Sequence, residues 1–474
     1  MTAGILAVAL MAALATGEVR YLSADGDDAK DGTKPNSAWR TLDRMSKGLP
    51  SGGEARLRCG DVFYGRISLK PGKDAAHPTV LTSWGKGPKP VVCGYRIPRR
   101  DPGAWTSCGD HLWELDLQNP LNFIRNASLQ DGNIGFIKVG DAIHGRKFFC
   151  REKLREQWDF HSDGRTLTVW SESNPASVGS DLHLAPNVGL LPFRDHVTVR
   201  GISFRGTGAH GSNGVGCGLR FVDCEFSEIG GSVLPGKGGN LNGTTRYGNG
   251  IECWAGSTDI QVSGCAFSDI YDVAFTLQGN RPFRSWENVH VTRCRFARCS
   301  QACELWTTDC GPGVGIRNCS FTSNRVEDTG YGWAYEVRPD RKNSTPLLMY
   351  RMDTDVCDFT VKDNVFVRSR GLLLFKSGGI GELPAGYRIS DNTVIGPADC
   401  GIGNFAGDEP TSEERTKERL IRETNRFVDN WTGASLPSQL SATLPRCVTP
   451  PGGRWCGINI NTLSVSNGVQ AVRL

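Results

Sequence analysis

The chain has 474 residues, and its 54 Lys plus Arg nearly balance 50 Asp plus Glu, for a formal net charge of +4. That balance gives no electrostatic reason to expect a nucleic-acid partner. Only 8 histidines and no paired Cys-x-x-Cys modules accompany the 17 cysteines, which argues against structural zinc.

Residues 4 to 15, GILAVALMAALA, form an apolar run ending in small residues, with Ala13 and Ala15 in an A-x-A arrangement. The run is too short to span a bilayer and has the length of a signal core, although no Lys or Arg precedes it. Residues 1–17 are therefore predicted to be a removed secretory signal, with the mature protein secreted or periplasmic. No later stretch is long and apolar enough for a membrane span. In an exported chain the cysteines suggest disulfides, and the odd count leaves at least one thiol over. Candidate pairs are Cys59 with Cys93, Cys299 or Cys303 with Cys310, and Cys447 with Cys456.

Residues 18–94 open with a strand, an Asp/Gly-rich loop and a short amphipathic helix (Val19 to Met45), followed by LRCGDVFYGRISL (Leu57 to Leu69). These are expected to be an N-terminal cap and the first coils. The loop Asp25 to Asp31 offers carboxylates for calcium, but a solvated turn with capping aspartates is the reading preferred. Residues 95–190 fit the repeat less well. HLWELDL (His111 to Leu117) and TLTVW (Thr166 to Trp170) suggest hairpin strands of an inserted β-rich module, a flap placed to wall a groove.

From residue 191 to about 400 one phrase keeps returning: two apolar residues, then Cys or Asn, any residue, then an apolar one. It reads FVDCEF, VSGCAF, VTRCRF, IRNCSF, VKDNVF and ISDNTV, with markers at Cys224, Cys265, Cys294, Cys319, Asn364 and Asn392. Such a repeat of short β-rich pieces separated by Gly, Asp and Asn is what a solenoid requires. A second apolar phrase follows in most coils, as in GIECW, VAFTLQ, ACELW and GLLLF. Two or three like-directed strands per turn make an all-β, parallel β-helix. Stacked coils set equivalent residues about 4.8 Å apart, so the Cys and Asn markers should form an inward ladder. Residues 401–474 lose the ladder. Glu409 to Phe427 is charged and helix-prone and is expected to cap the last coil, shielding an open sheet edge.

The repeat resembles the right-handed parallel β-helices of the pectate-lyase-like superfamily, over roughly residues 18 to 400. The opening strand, D-G-T loop, capping helix and the Gly60, Asp61, Gly65 phrase resemble the start of secreted β-helix carbohydrate-active enzymes. The block Arg246 to Asp340 is similar to bacterial secreted β-helix proteins grouped with polysaccharide-degrading enzymes. The resemblance implies the right hand and a polysaccharide or oligosaccharide partner, but no particular substrate.

Strand alternation places Ile251 and Cys253 inside and Glu252 and Trp254 outside; likewise Cys303 and Leu305 inside, Glu304 and Trp306 outside. The same outward Glu-x-Trp phrase thus occurs in two coils separated by one, and Asp272 and Tyr271 enter the strand between them. Two rungs put the glutamate Cα atoms about 9.5 to 10 Å apart. That suits the carboxyl separation of inverting glycosidases, about 6.5 to 9.5 Å, better than the about 5 to 5.5 Å of retaining ones. Candidate catalytic residues are Glu252, Glu304 and Asp272. Candidate substrate-binding residues are Trp254, Tyr271, Gln278, Trp306, Tyr335, Glu336, Arg338 and Lys376, with Trp333 nearby. Aromatic rings pack on the C–H faces of sugars while polar groups meet the hydroxyls. Hydrolysis is the leading expectation, with no cofactor and a monomeric enzyme. A uronate lyase or epimerase, using Arg293, Arg338 or Lys376 and calcium, is the alternative, followed by a non-catalytic glycan-binding solenoid.

Overall fold

The computed structural model describes residues 17–125, 131–234, 245–338, 344–370, 373–395, 402–403, 411–428, 463–466 and 469–472. Residues 1–16 of the expected signal and the expected Cys447–Cys456 pair lie outside them.

Three parallel sheets run the length of a right-handed β-helix. The first has ten strands, from Val19–Leu22 to Tyr387–Ser390, and the second ten, from Val62–Tyr64 to Arg426–Val428. The third has eight, from Leu191–Pro192 to Ile402–Gly403. Each full coil contributes one strand to each sheet. Inward residues stack in files: Phe204, Phe226, Phe267 and Phe296 occupy equivalent second-sheet positions and are all buried. Their rings lie parallel at centroid spacings of 5.1, 5.2 and 4.9 Å, matching the rung spacing so that one aromatic column fills the core.

The inward ladder exists, but its membership differs from the sequence reading. The Cys224 backbone N–H donates to Cys265 Sγ, Cys265 N–H to Cys294 Sγ, and Cys294 N–H to Asn324 Oδ1. The thread continues from Asn324 to Asn364, from Asn364 to Asn392, and from Asn392 to Asn425. Successive rungs lie 41, 29, 30, 40, 28 and 33 residues apart. Cys319 is not a rung. The strand Ile316–Thr322 pairs Phe321 with Val291, so it is Asn324 that follows in the place of Cys294. Each amide rung also donates back through Nδ2, as Asn324 does to Val291 O and Asn364 to Phe321 O. The residue before each rung from Cys224 to Asn392 has positive φ, as does the residue four after each from Cys224 to Asn364. The corner before each rung therefore favours Asp and Gly, as at Asp223, Gly264, Asp363 and Asp391.

Every described cysteine is a free thiol, which corrects the expected Cys59–Cys93 and Cys299 or Cys303–Cys310 bridges. Tyr64 pairs with Cys93 across the second sheet, so Cys59, five residues before Tyr64, lies well back along the strand direction. Cys299 and Cys303 are buried in the core, whereas Cys310 is half-buried beyond the end of Gln301–Thr308.

After Val91–Cys93 the chain leaves the coil and returns at Leu191–Pro192. The excursion builds a four-stranded antiparallel sheet containing Leu112–Asp116 and Thr166–Trp170, and a three-stranded one around Ile137–Val139. It has its own core, including Trp105, Phe160 and Leu167. Toward the N-terminus, the Thr41 hydroxyl accepts from Arg44 N–H to cap the helix Leu42–Gly48. In the loop before it, Asp28 accepts from the Arg40 and Thr41 amides and the Thr41 hydroxyl, and Asp31 from Thr33 and Ser37. At the far end, Thr411 and Glu414 form a capping box on the helix Ser412–Thr424, whose Ile421 joins the solenoid core. Because Asn425 and Arg426–Val428 follow that helix, the coil extends beyond residue 400, where the sequence reading had ended it. Among the described residues, no helix is long and apolar enough to cross a membrane.

Candidate functional site

The outer face of the third sheet carries a groove of about 830 Å³, within the range of small-molecule sites. Strand register builds it. Asn213 pairs with Glu252, Glu252 with Thr276, Thr276 with Glu304, and Glu304 with Leu348, one outward file along the helix axis. Two residues further along each strand a second file reads Trp254, Gln278 and Trp306. The intervening Cys253, Leu277 and Leu305 are buried in the core, so alternation forces the polar and aromatic side chains outward.

Glu252 is 5% exposed and receives several donors. Its Oε2 accepts from Asn249 Nδ2 at 2.8 Å and Gln278 Nε2 at 2.9 Å, with His210 Nε2 3.5 Å away. Asn249 organises this end. Its backbone N–H donates to His210 Nδ1 at 3.0 Å, and its Oδ1 accepts from Val273 N–H. A ring nitrogen that accepts from an amide carries no proton, so the neutral His210 holds its proton on Nε2, facing Glu252.

Glu304, 8% exposed, sits in a different environment. Burial pushes its carboxyl up to about 8, and the Asp272 carboxylate adds to that shift; the Arg338 guanidinium acts in the opposite sense, as does the Thr276 hydroxyl in the arrangement where it donates to the ionised form. That shift favours the protonated carboxyl at neutral pH. Asp272 is held by Arg338 Nη1 at 2.7 Å, and the same nitrogen donates to Tyr271 O at 3.0 Å. The Thr276 hydroxyl lies 3.2 Å from Glu304 Oε2 and 3.2 Å from Gln278 Oε1.

Trp254 and Trp306 form the aromatic end, their ring centroids 6.1 Å apart and inclined by 34°. Tyr350, 45% exposed, extends the surface beyond Trp306. A hairpin in which Ser232 and Val233 pair with Tyr247 and Arg246 closes one flank. Arg246 donates to the carbonyls of Gly231, Gly145, Gly135 and Val337, tying that flank to the inserted module. Tyr247 Oη donates to Asn187 Oδ1 at 2.5 Å. The module therefore buttresses the wall, and none of its described residues lines the groove itself.

Of the residues singled out from sequence, Glu252, Glu304, Asp272, Trp254, Gln278, Trp306 and Arg338 line this groove. The others do not. Tyr271 is fully buried beneath the guanidinium groups of Arg246 and Arg338. Trp333 is wedged between Phe136 and Tyr271. Tyr335 stacks under Arg370, which also pairs with Glu336 at 2.7 Å. Lys376 pairs with Met349, which continues the inward file, so it points away from the groove and meets Glu382 Oε2 at 3.2 Å. Arg293 occupies a corner between the first and second sheets. His210, Asn249 and Thr276 were not found from the sequence. His210 and Asn249 sit in turns with no repeated phrase, while Thr276 was legible as the residue between the two glutamates. Among the described residues, no group of three or more His, Cys, Asp or Glu is arranged to hold a metal ion.

No family model matches the chain, and no curated protein sequence matches it. Solved structures similar to it include a glycoside hydrolase, at 12% identity over 80% of this chain and 94% of that one, with a TM-score of 0.44. A complex of XylC with xylose is 10% identical over 86% and 82%, with a TM-score of 0.46. A rhamnogalacturonan lyase is 12% identical over 80% and 74%, with a TM-score of 0.41. The chain is a right-handed parallel β-helix protein. Its third sheet bears a groove that is carboxyl-lined at one end and aromatic at the other.

Proposed function

We propose that this protein is a secreted glycoside hydrolase acting on a polysaccharide or oligosaccharide, with its active site in the third-sheet groove. The observation that carries the reading is the pair Glu252 and Glu304, two rungs apart on one face in unlike environments. One carboxyl ringed by side-chain amide donors and another pushed up by burial suit unlike roles in acid and base catalysis. Glu304, protonated at neutral pH, is the general acid that donates to the departing glycosidic oxygen. Glu252 is the base that takes a proton from the attacking water. Their Cα atoms stand about 9.6 Å apart across two rungs, and side chains leaning toward each other from that spacing would reach the about 6.5 to 9.5 Å carboxyl separation of inverting enzymes more easily than the about 5 to 5.5 Å of retaining ones. Asp272, clamped by Arg338, adds negative charge that stabilises a developing oxocarbenium ion. Trp254, Trp306 and Gln278 bind the sugar, the rings through its C–H face and the amide through a hydroxyl. This chemistry calls for no metal or organic cofactor.

A uronate lyase or epimerase would place a cationic base at the groove. Of Arg293, Arg338 and Lys376, only Arg338 lines it, and that residue is engaged with Asp272. The test is an assay of the purified chain on neutral and acidic polysaccharides, following reducing ends and ultraviolet absorbance together. Reducing ends without an absorbance rise support hydrolysis. Absorbance of an unsaturated uronate would overturn it in favour of a lyase, and binding without either product would favour a glycan-binding solenoid.

A further inference from the structure

We propose that Gln278 and Thr276 form a one-way hydrogen-bond relay between the two glutamates, which keeps a proton on Glu304 whenever Glu252 is charged. Its importance for turnover rests on the acid and base roles proposed above, but the relay itself stands on the geometry of four side chains.

The direction follows from counting donors and acceptors. Gln278 Nε2 is 2.9 Å from Glu252 Oε2. A carboxylate oxygen there requires the amide to present its NH₂ rather than its carbonyl, so partners orient the amide. Gln278 Oε1 then faces the Thr276 hydroxyl at 3.2 Å, an acceptor seeking a proton. Thr276 has one hydroxyl proton and two acceptor neighbours, the second being Glu304 Oε2 at 3.2 Å. Given to Gln278, that proton leaves only a lone pair for Glu304. The remaining contact becomes a hydrogen bond if Glu304 carries the proton and donates to Thr276 Oγ1. An ionised Glu304 would instead turn the hydroxyl away from Gln278 and leave the amide oxygen unmatched.

The net effect of the surroundings runs in the same sense as the relay. Asp272 and Arg338 face Glu304, the acidic partner with the larger effect. His210, Asn249 and Tyr247 stand around Glu252. On the inward side of the same strands the thiols of Cys253 and Cys303 approach, both pushed upward by burial and therefore neutral. Thr276 is itself fully buried, so bulk water does not replace its hydroxyl.

Removing the hydroxyl without changing the side-chain shape tests this. In Thr276→Val, the titration of Glu304 is followed by infrared difference spectroscopy of the protonated carboxyl band, identified by its loss in Glu304→Gln. The expected result is a downward displacement of the midpoint by roughly half to one pH unit, because the protonated form loses its acceptor. Thr276→Ser should restore the wild-type midpoint. An unchanged midpoint, or one displaced upward as expected if Thr276 donates to Glu304, overturns the relay. The spectroscopic reading needs no substrate, so an inactive chain would sink the hydrolase assignment and leave the relay to be judged separately. Where hydrolysis is found, the basic limb of the pH profile should move with the midpoint.

Discussion

Glu252 and Glu304 flank Thr276 in one unbroken outward file, each paired with it across a parallel strand. A spacing of 52 positions in the sequence, from 252 to 304, thus becomes a separation of two rungs. Their environments differ because different corners reach them. Asn249 and His210 lean on the first, and Asp272 with Arg338 on the second.

Glu304→Gln removes the transferable proton while keeping size and hydrogen bonding. Turnover should fall by about 10²-fold or more, the usual worth of a positioned general acid. Circular dichroism should match wild type, as should the thermal midpoint at pH 4, where Glu304 is protonated in both the folded and the unfolded chain. Retained turnover would transfer the acid role elsewhere in the groove.

Activity should decline as pH rises through about 8, where Glu304 loses its proton. Stability carries the same signature. The folded-state value lies above the ordinary glutamate value of 4.5, so between about 4.5 and 8 the folded chain holds a proton that the unfolded chain has lost. Stability therefore falls with rising pH over that window and levels off above it. Glu304→Gln should lack this slope and exceed wild type above pH 8, by an amount on the order of a few kcal/mol. Urea denaturation at pH 5, 7 and 9 measures the difference.

Trp306→Ala should weaken substrate binding more than it slows chemistry. Loss of an aromatic sugar platform should raise KM by about tenfold, with kcat changed less. Trp254→Ala should behave alike, since the two rings form one surface. Steady-state kinetics on the active polysaccharide separate the two parameters, and a selective loss of kcat would contradict the platform role.

The ladder makes a prediction about stability. Asn324→Ala orphans the Cys294 amide, the Val291 carbonyl and the space between them, for a cost of about 2 to 4 kcal/mol. Asn324→Cys should cost less, because Cys265 and Cys294 already accept a backbone N–H at this position. Chemical denaturation of the two variants against wild type decides the order.

The spacing of Cys224, Cys265 and Cys294, and of Asn364 and Asn392, made the coils legible, because each rung must face inward at a corner of the same shape. Cys319 misled because IRNCSF has the rung phrase inside a strand and overlaps FTSNRV, the phrase that carries the true rung at Asn324. Parity along GIECW and ACELW was enough to place Glu252 and Glu304. Parity failed at Lys376, whose strand continues an inward file toward the last coil. His210 and Asn249 act through turns, where position depends on neighbouring coils and leaves no periodic trace.

The spacings between rungs also locate where this architecture stores variation. The two longest, 41 and 40 residues, are the coils whose surplus chain carries Arg246 and Tyr247 in one case and Arg338 in the other. Coils of 28 to 30 residues complete a circuit with little to spare. Between Cys224 and Asn392, what the solenoid adds beyond a minimal circuit thus contributes residues to the groove's rim. Exchanging those two excursions for others of different length and charge should re-tailor recognition while the inner thread of thiols and amides stays intact.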